Sequence, residues 1–483
     1  MLDDIIKERR KKLEALRNAK IDPYPARIKR SFEIAKAIKD FEKLTPKAKP
    51  VSLAGRLTAM RGQGKIIFID IEDESGKIQA VLKDDVLADF DFWWSVLDLG
   101  DFVSVTGPLF VTARGEKSVE VQKLQMGTKT LLPPPDKHYG IEDIETRLRE
   151  RYVDLIAHPE LRDMFRKKSM FWQATREFLL KADFLEVETP VLEPIPGGAE
   201  AEPFITHHNS LDTNFYLRIS PELNLKRLVV GGFEKVFEIG RIFRNEGIDA
   251  EHLQDYTQME MYWAYQDYEG LMAFLEKLVK HVIKKTFGTL VLARKGQDVD
   301  WEKSWVRYDY YELFKKYAGM DLKTATKPEL LKKAKELGLE TADANLGRGR
   351  LIDLIYKKTV RPTLVEPGFL INPPVDIEPL AKRSEDDKGR VERFQIVAYG
   401  TELGKGFSEL NDPIDQRGRF EEQMKLRDAG DAEAQMFDAD YVKALEYGMP
   451  PTAGFAYSER LFAVLMDKPV RETVFFPLMR PKK

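Results

Sequence analysis

Lys235-Val-Phe-Glu-Ile-Gly-Arg-Ile-Phe-Arg-Asn-Glu-Gly247, followed closely by His252-Leu-Gln-Asp-Tyr-Thr-Gln-Met-Glu-Met-Tyr-Trp263, is the stretch whose reading decides the fold. The apolar run from Lys235 to Arg241 reads as a strand. Gly247 to Asp255 reads as a polar loop that carries His252, and Tyr256 to Trp263 as the returning strand. Period-two alternation puts Tyr256, Gln258, Glu260 and Tyr262 on one face and Met259, Met261 and Trp263 on the other. Arg244, Glu246, His252 and an aromatic platform then share one side of an antiparallel hairpin. A guanidinium forks onto phosphate and a ring stacks on a base. The set suits a nucleoside triphosphate held beside a small cationic substrate. Taken one residue at a time, the same charges fit a solvated surface hairpin.

The rest of the chain sets the frame around that hairpin. Its 483 residues, 43% hydrophobic, suffice for two or three buried cores. Lys and Arg total 77 against 80 Asp and Glu, so any nucleic-acid binding must come from a local basic face. Cysteine is absent, which excludes a disulfide scaffold, thiolate zinc sites and a cysteine nucleophile. A reducing cytosol fits this composition, and a cytoplasmic location is the expectation. No apolar run approaches the roughly 20 residues that span a bilayer, and the charged start at Met1 has no signal-peptide core behind it.

Residues 1–50 read as a basic helical extension. Leu2, Ile5, Ile6, Leu13 and Leu16 fall near helical spacing over 2–19, with Lys7, Arg9, Arg10, Lys11, Lys12 and Arg17 covering the other face. That face is either solvated or a phosphate-contacting arm. Residues 51–130 read as a domain of five short strands, Val51–Leu57, Lys65–Glu72, Gly76–Leu82, Asp101–Gly107 and Ser118–Leu124, interrupted by a longer segment with Trp93 and Trp94. Such spacing suggests a small oligonucleotide-binding (OB) barrel. Alternation alone places Phe68 in the core, because it shares a face with Ile66. The Pro-rich Leu131 to Asp136 opens a hinge over 131–150. A second domain spans 151–483, with helices from Pro159 to Ala182 and over 267–287, and a small helical insertion around 320–360. Within the insertion, Gly347-Arg-Gly-Arg350 reads as an exposed turn rather than a phosphate contact. The adjacent His207 and His208 face opposite ways on a strand, so joint metal ligation is not expected and an ordinary hydrogen bond near the pocket is.

The hairpin resembles motif 2 of class II aminoacyl-tRNA synthetases, and the remaining motifs resemble the lysine-specific members of that family. Thr189-Pro190, within Phe184 to Leu192, resembles motif 1, where the proline lies at a dimer interface. Ile195 to Gly198, Pro203 to Asn209, Tyr216 to Leu223 and Gly406 to Asp412 match lysine-type sequences, and Gly454 to Arg460 stands in the place of motif 3. The motifs occur in family order and the likeness covers nearly the whole chain. The resemblance implies an α+β protein: an N-terminal OB-fold β-barrel followed by a class II catalytic domain, an antiparallel sheet flanked by helices. It implies a homodimer with no membrane segment. It also implies that L-lysine is activated with ATP to lysyl-adenylate and passed to the 3′ end of tRNA(Lys), with Mg2+ as cofactor.

Amino-acid activation joins a carboxylate to the α-phosphate and expels pyrophosphate, so the site must hold two anions together and stabilise phosphoryl charge. The resemblance assigns Arg244 to the α-phosphate and Arg460 to the γ-phosphate end as the catalytic arginines. Glu246, His252, Tyr256 and Glu402 complete the ATP site, with Tyr256 under adenine. A buried lysine ammonium needs carboxylate partners. Glu260, Tyr262 and Glu409 are assigned to that end, Glu222 with the Gly198 backbone to the α-amino group, and Lys405 to the substrate carboxylate. The aspartyl relatives carry arginine where this chain has Glu409, so the sign at that position favours a cation. Phe68 and Gln79 are implied to face the anticodon.

Three departures stand out. The family carries acids that bind magnesium at the places of Gln395 and Glu402; here the first is an amide, and the metal site is expected to be weaker. The family has asparagine at the place of Lys405, whose ammonium can pair with the substrate carboxylate or swing toward phosphate. The motif 3 segment is one residue shorter and poorer in glycine. Two other readings therefore stand beside the first: a paralogue that attaches lysine to a protein, and a non-catalytic RNA-binding paralogue with a degenerate metal site.

Overall fold

Alternation in Val51 to Thr128 produces a seven-stranded barrel sheet: β1 (Val51–Gln63), β2 (Ile66–Glu72), β3 (Lys77–Lys83), β4 (Phe102–Gly107), β5 (Leu109–Val111), β6 (Lys117–Glu120) and β7 (Lys123–Thr128), in the order β5-β6-β3-β2-β1-β4-β7. The computed structural model describes residues 2–45, 49–135, 142–247, 252–339, 346–428 and 434–481. Parts of the hinge reading (136–141), of the hairpin loop (248–251) and of the insertion (340–345) lie outside the described residues. Two strands more than the sequence reading appear: the segment after Ser118 breaks into β6 and β7, and the three-residue β5 is too short to show alternation. The Trp93–Trp94 segment is a helix, Phe90–Val96.

The barrel core is apolar and continuous, with Ile67, Ile69, Ile71, Ala80, Leu82 and Val103 among its buried residues. The odd-numbered residues of β2 fill it, so Phe68 lies on the outer face and not in the core that alternation had suggested. The alternation is real, but Ile66, its partner in that reading, is 41% exposed at the strand end. The N-terminal helix, Leu2–Asn18, buries Leu13 and Leu16. Arg9 departs from its assigned polar face: it is 5% exposed and its guanidinium bonds Thr130 Oγ1 at 2.6 Å and the Leu99 carbonyl at 2.9 Å.

The chain divides into two compact units, Met1–Asp143 with Tyr152–His158, and Ile144–Arg151 with Pro159–Lys483. The second unit is built on an eight-stranded sheet. In chain order its region contributes β8 (Leu185–Glu186), β9 (Leu192–Glu193), β10 (Ile205–His208), β11 (Thr213–Leu217), β12 (Lys235–Phe243), β13 (Asp255–Ala264), β14 (Val291–Arg294), β15 (Gln297–Asp300), β16 (Val306–Asp309), β17 (Gly368–Ile371), β18 (Arg393–Ala398), β19 (Thr401–Ser408) and β20 (Thr452–Ser458). The large sheet runs β16-β17-β18-β19-β20-β13-β12-β8, parallel only at β16–β17 and β12–β8. Helices Leu161–Lys181 and Tyr268–Phe287 pack on it, the second started by Asp267, whose side chain accepts from the Gly270 N–H at 2.8 Å. The expected α+β class is the observed one.

The insertion has its own core. Tyr310, Phe314, Leu330, Leu351, Ile352 and Ile355 pack together from three helices, Tyr310–Ala318, Lys327–Glu336 and Arg348–Thr359. Gly347 to Arg350 is not an exposed turn, since it opens the last of these helices. Gly349 is buried, a Cβ there would run into the Asp376 carbonyl, and Arg348 pairs with Asp376 at 2.5 Å.

Candidate active site

Register places the chemistry. In one row across the sheet, Gln395 pairs with Lys405, Lys405 with Ala456, Ala456 with Glu260, and Glu260 with Glu238. The neighbouring row reads Arg393, Phe407, Gly454, Tyr262 and Val236. Paired residues share a face, so the small residues of β20 leave a trough between the polar side chains of β13 and β19. Met259 and Met261, on the other face, are fully buried. The shortened motif 3 costs no register: Thr452 to Ser458 pair without interruption along β13. Glu459, 1% exposed, then accepts from the Thr257 N–H at 3.2 Å and pairs with Lys168, and Arg460 opens the next helix at the cleft wall.

The trough is a cleft of about 230 Å³ whose walls include Gly198, Ser220, Glu222, Arg244, Glu246, His252, Tyr256, Gln258, Glu260, Glu402, Lys405 and Arg460. All six residues assigned to ATP line it, together with the assigned Gly198, Glu222, Glu260 and Lys405. Arg244 stands over the Tyr256 ring, its guanidinium carbon 5.7 Å from the ring centroid, and its buried Nε has no hydrogen-bond partner among the described residues.

Tyr262 and Glu409 lie deeper. The Tyr262 hydroxyl donates to Glu260 Oε1 at 2.7 Å, Gln258 Nε2 donates to Oε2 at 2.7 Å, and the Ser220 hydroxyl donates at 3.1 Å. Burial, then the nearby Glu222, pushes the Glu260 carboxyl up to about 7 against these three donors. Glu409 is 1% exposed and follows Lys405 and Phe407 on the same alternating face. A Cβ on Gly454 would lie 2.3 Å from Glu409 Oε1 and 2.4 Å from the Tyr262 ring, which makes glycine a requirement there. Burial, Glu222 and Glu260 all push the Glu409 carboxyl well above the usual range. The Lys226 ammonium, paired with Glu409, opposes that shift.

One residue of this recess escaped the sequence reading. Lys226, fully buried, follows Glu222 by one helical turn in Glu222–Val230; its ammonium bonds Glu222 Oε1 at 2.6 Å and forms an ion pair with Glu409. Burial opposes charge on Lys226, yet Glu222 and Glu409 hold it well above the ordinary lysine value. Two carboxyl groups, Glu222 and Glu409, thus share one internal ammonium, with Glu260 beside them. Gly198 abuts this group: its φ is +83°, and a Cβ there would lie 2.7 Å from the Glu222 Cβ. The sequence reading also missed Ser220 and the buried Glu378. It missed the Arg218–Glu238 pair at 2.5 Å too, although Glu238 Oε2 accepts from the Thr189 N–H and hydroxyl at 3.1 and 2.7 Å and so ties the motif 1 segment to β12.

The wall formed by β18 and β19 differs from a metal cradle. Gln395 Nε2 donates to Glu402 Oε2 at 2.7 Å, so the amide presents N–H to the acid where a second ligand was expected. No group of three His, Cys, Asp or Glu among the described residues could hold a metal ion. Lys405 does not meet a free acid of the cleft: its ammonium is held at 3.0 Å by Glu378. His207 and His208 are exposed on the β10–β11 hairpin; each makes a hydrogen bond, to Asn214 and Ser210, and neither lines the cleft.

In the other unit, Phe68 and Gln79 lie on adjacent strands of the barrel's outer face. Phe68 pairs with Val81 and Gln79 with Asp70, and the Arg61 guanidinium sits 5.9 Å from the Phe68 centroid. Gln79 Oε1 accepts from the Ser118 hydroxyl at 3.0 Å. No helix among the described residues is long and apolar enough to cross a membrane.

Comparison with known proteins agrees with this geometry. Residues 143–480 match the family of class II tRNA synthetases (D, K and N), and residues 51–126 match the OB-fold nucleic acid binding domain. The chain is similar to the lysine–tRNA ligase of Carboxydothermus hydrogenoformans, 44% identical over 485 residues that cover 100% of this chain and 99% of the relative. It is equally similar to that of Moorella thermoacetica, at 44% over 485 residues, and to that of Roseiflexus castenholzii, at 44% over 487 residues. Both alignments cover this chain in full, with 99% and 100% of the respective relatives.

Proposed function

The chain belongs to the class II tRNA synthetases of the D, K and N type, and from that premise we propose that it is a lysine–tRNA ligase. ATP and L-lysine react as the lysine carboxylate attacks the α-phosphorus and pyrophosphate leaves. The terminal ribose hydroxyl of tRNA(Lys) then attacks the lysyl carbonyl, and AMP leaves. The carrying observation is the recess of Glu222, Glu260 and Glu409, almost fully buried, in which three acids outnumber the one buried ammonium, Lys226. Burying more carboxylates than cations is costly, and an arriving ammonium offsets part of that excess.

Glu409, Glu260 and Tyr262 receive the side-chain ammonium; Glu222 and the Gly198 backbone receive the α-amino group. Lys405 faces the substrate carboxylate. Arg244 takes the α-phosphate, where its unbonded Nε supports the assignment, and Arg460 the γ-phosphate end. Glu246 and His252 flank the nucleotide, and Tyr256 stacks under adenine. ATP enters as its magnesium salt. The residues present do not fit a protein-held magnesium cluster, since Glu402 has an amide N–H and not a second acid beside it.

The barrel favours tRNA over protein as acceptor: Phe68 and the amide of Gln79 offer a stacking ring and a base-edge hydrogen-bonding group to an anticodon. Two copies pair through the motif 1 region, where Leu185, Val191 and Leu192 expose 47%, 39% and 48% of their surface. The absence of cysteine fits work in the cytoplasm. Charging of purified tRNA(Lys) with labelled lysine tests the reading. Lysyl-tRNA is expected; AMP formation with no acid-precipitable lysine would reject the transfer step.

A further inference from the structure

We infer that Lys405 supplies, as a fixed protein charge, the second positive centre that two anions need at the β18–β19 wall, so that each site uses one divalent ion and not two. The inference rests on the nucleotide-site reading above.

Four observations carry it. Gln395 and Lys405 face each other directly across the two strands, so the amide and the ammonium occupy one patch. Gln395 is 7% exposed and its N–H points at Glu402. An amide brings no charge to a cation, so Glu402 is the one acid of the pair that can draw an ion shared with nucleotide phosphates. Lys405 reaches the cleft with 37% of its side chain exposed, alongside Glu402 and Arg244, and it also lines the wider cleft of about 680 Å³ that shares those residues. Finally, Glu378 is shared by two cations: Lys405 at 3.0 Å and the Arg393 Nε at 3.3 Å. The trio carries one net positive charge, so the ammonium is anchored but not neutralised.

Its charge is secure. Burial would discharge Lys405, but Glu378 holds it above the ordinary lysine value, while Lys405 and then Arg393 hold the Glu378 carboxyl below its ordinary value against burial. Glu222 also acts on Lys405. The ammonium lines the same cleft as Glu222 and Arg244, where the attacking carboxylate and the α-phosphate would otherwise repel each other.

Manganese counts the ions. Titration of the wild-type protein, saturated with a non-hydrolysable ATP analogue, by electron paramagnetic resonance is expected to show one tightly bound Mn2+ per site. Two or more would overturn the inference, and so would none. Lys405→Asn is expected to weaken analogue binding at equimolar metal by about tenfold, the order expected for one partly screened charge, and excess metal should restore most of it. A loss that excess metal leaves unchanged would mean that Lys405 only supports structure. The pair Gln395→Glu with Lys405→Asn is expected to bind a second Mn2+; a count that stays at one overturns the exchange of ion for ammonium. These counts need no lysine. A failure of lysine activation would show separately, as absent lysine-dependent pyrophosphate exchange.

Discussion

Glu409→Gln removes one acid from the recess, and with it one of the two partners of Lys226, while leaving the side-chain shape unchanged. The side chain keeps its shape beside Gly454 and the Tyr262 ring, both close-packed against Glu409. At about 4 Å and an effective dielectric of about 20, one ion pair is worth roughly 4 kcal/mol. Glu260 and Glu222 remain, and the amide still accepts a hydrogen bond, so about 2–4 kcal/mol of lysine affinity should be lost. That is a rise of roughly 30- to 1000-fold in the lysine KM, with kcat changed much less, because the ammonium is remote from the reacting carboxylate. The KM for ATP should stay within about threefold. Stability should move little, for two opposing reasons. Repulsion among the three carboxyl groups falls, while Lys226 loses one of its two partners. ATP–pyrophosphate exchange at varied lysine is the assay. A lysine KM within about threefold of wild type would refute the ammonium-recess reasoning.

Three further outcomes follow from named contacts. Glu260, pushed up to about 7 against 4.5 unfolded, binds its proton more tightly when folded, so its contribution to stability is present at low pH and lost as pH rises from 4.5 through about 7. The loss is of order 3 kcal/mol; chemical denaturation should show it, and Glu260→Gln should flatten it, while the wild-type kcat/KM for lysine rises over the same window. Gly454→Ala forces a Cβ onto Glu409 Oε1 and the Tyr262 ring, so a loss of about 1–3 kcal/mol in stability or a matching rise in the lysine KM is expected; unchanged melting and unchanged KM together would contradict the packing. Phe68→Ala should weaken tRNA binding by about 1–3 kcal/mol, a stacking loss, in a filter-binding titration, and leave lysine-dependent pyrophosphate exchange untouched.

The hairpin was legible because period-two alternation and two polar ends are local properties of Lys235 to Trp263, and one face of it became the cleft floor. Glu260 and Glu409 lie far apart in the chain, and only their likeness to a family placed them in one recess. Lys226 was invisible for a physical reason. A glutamate and a lysine one helical turn apart look like an exposed pair, and nothing local says that the turn faces a buried acid. Arg9 misled in the same way, since a basic residue in a basic run carries no mark of the carbonyls that bury it. The Gln395–Lys405 facing depends on the register of β18 against β19, which the sequence of either strand leaves open. Phe68 shows the limit of alternation: the period was right, and the choice of which face is inside was not.

Pyrophosphate exchange by the wild-type protein, run side by side with lysine, norleucine and aspartate, bears most directly on the claim that a buried acidic recess selects an ammonium. Exchange should appear with lysine, fall by orders of magnitude with norleucine, which keeps the chain length and lacks the charge, and vanish with aspartate. Comparable exchange with lysine and norleucine, or a preference for aspartate, would contradict it.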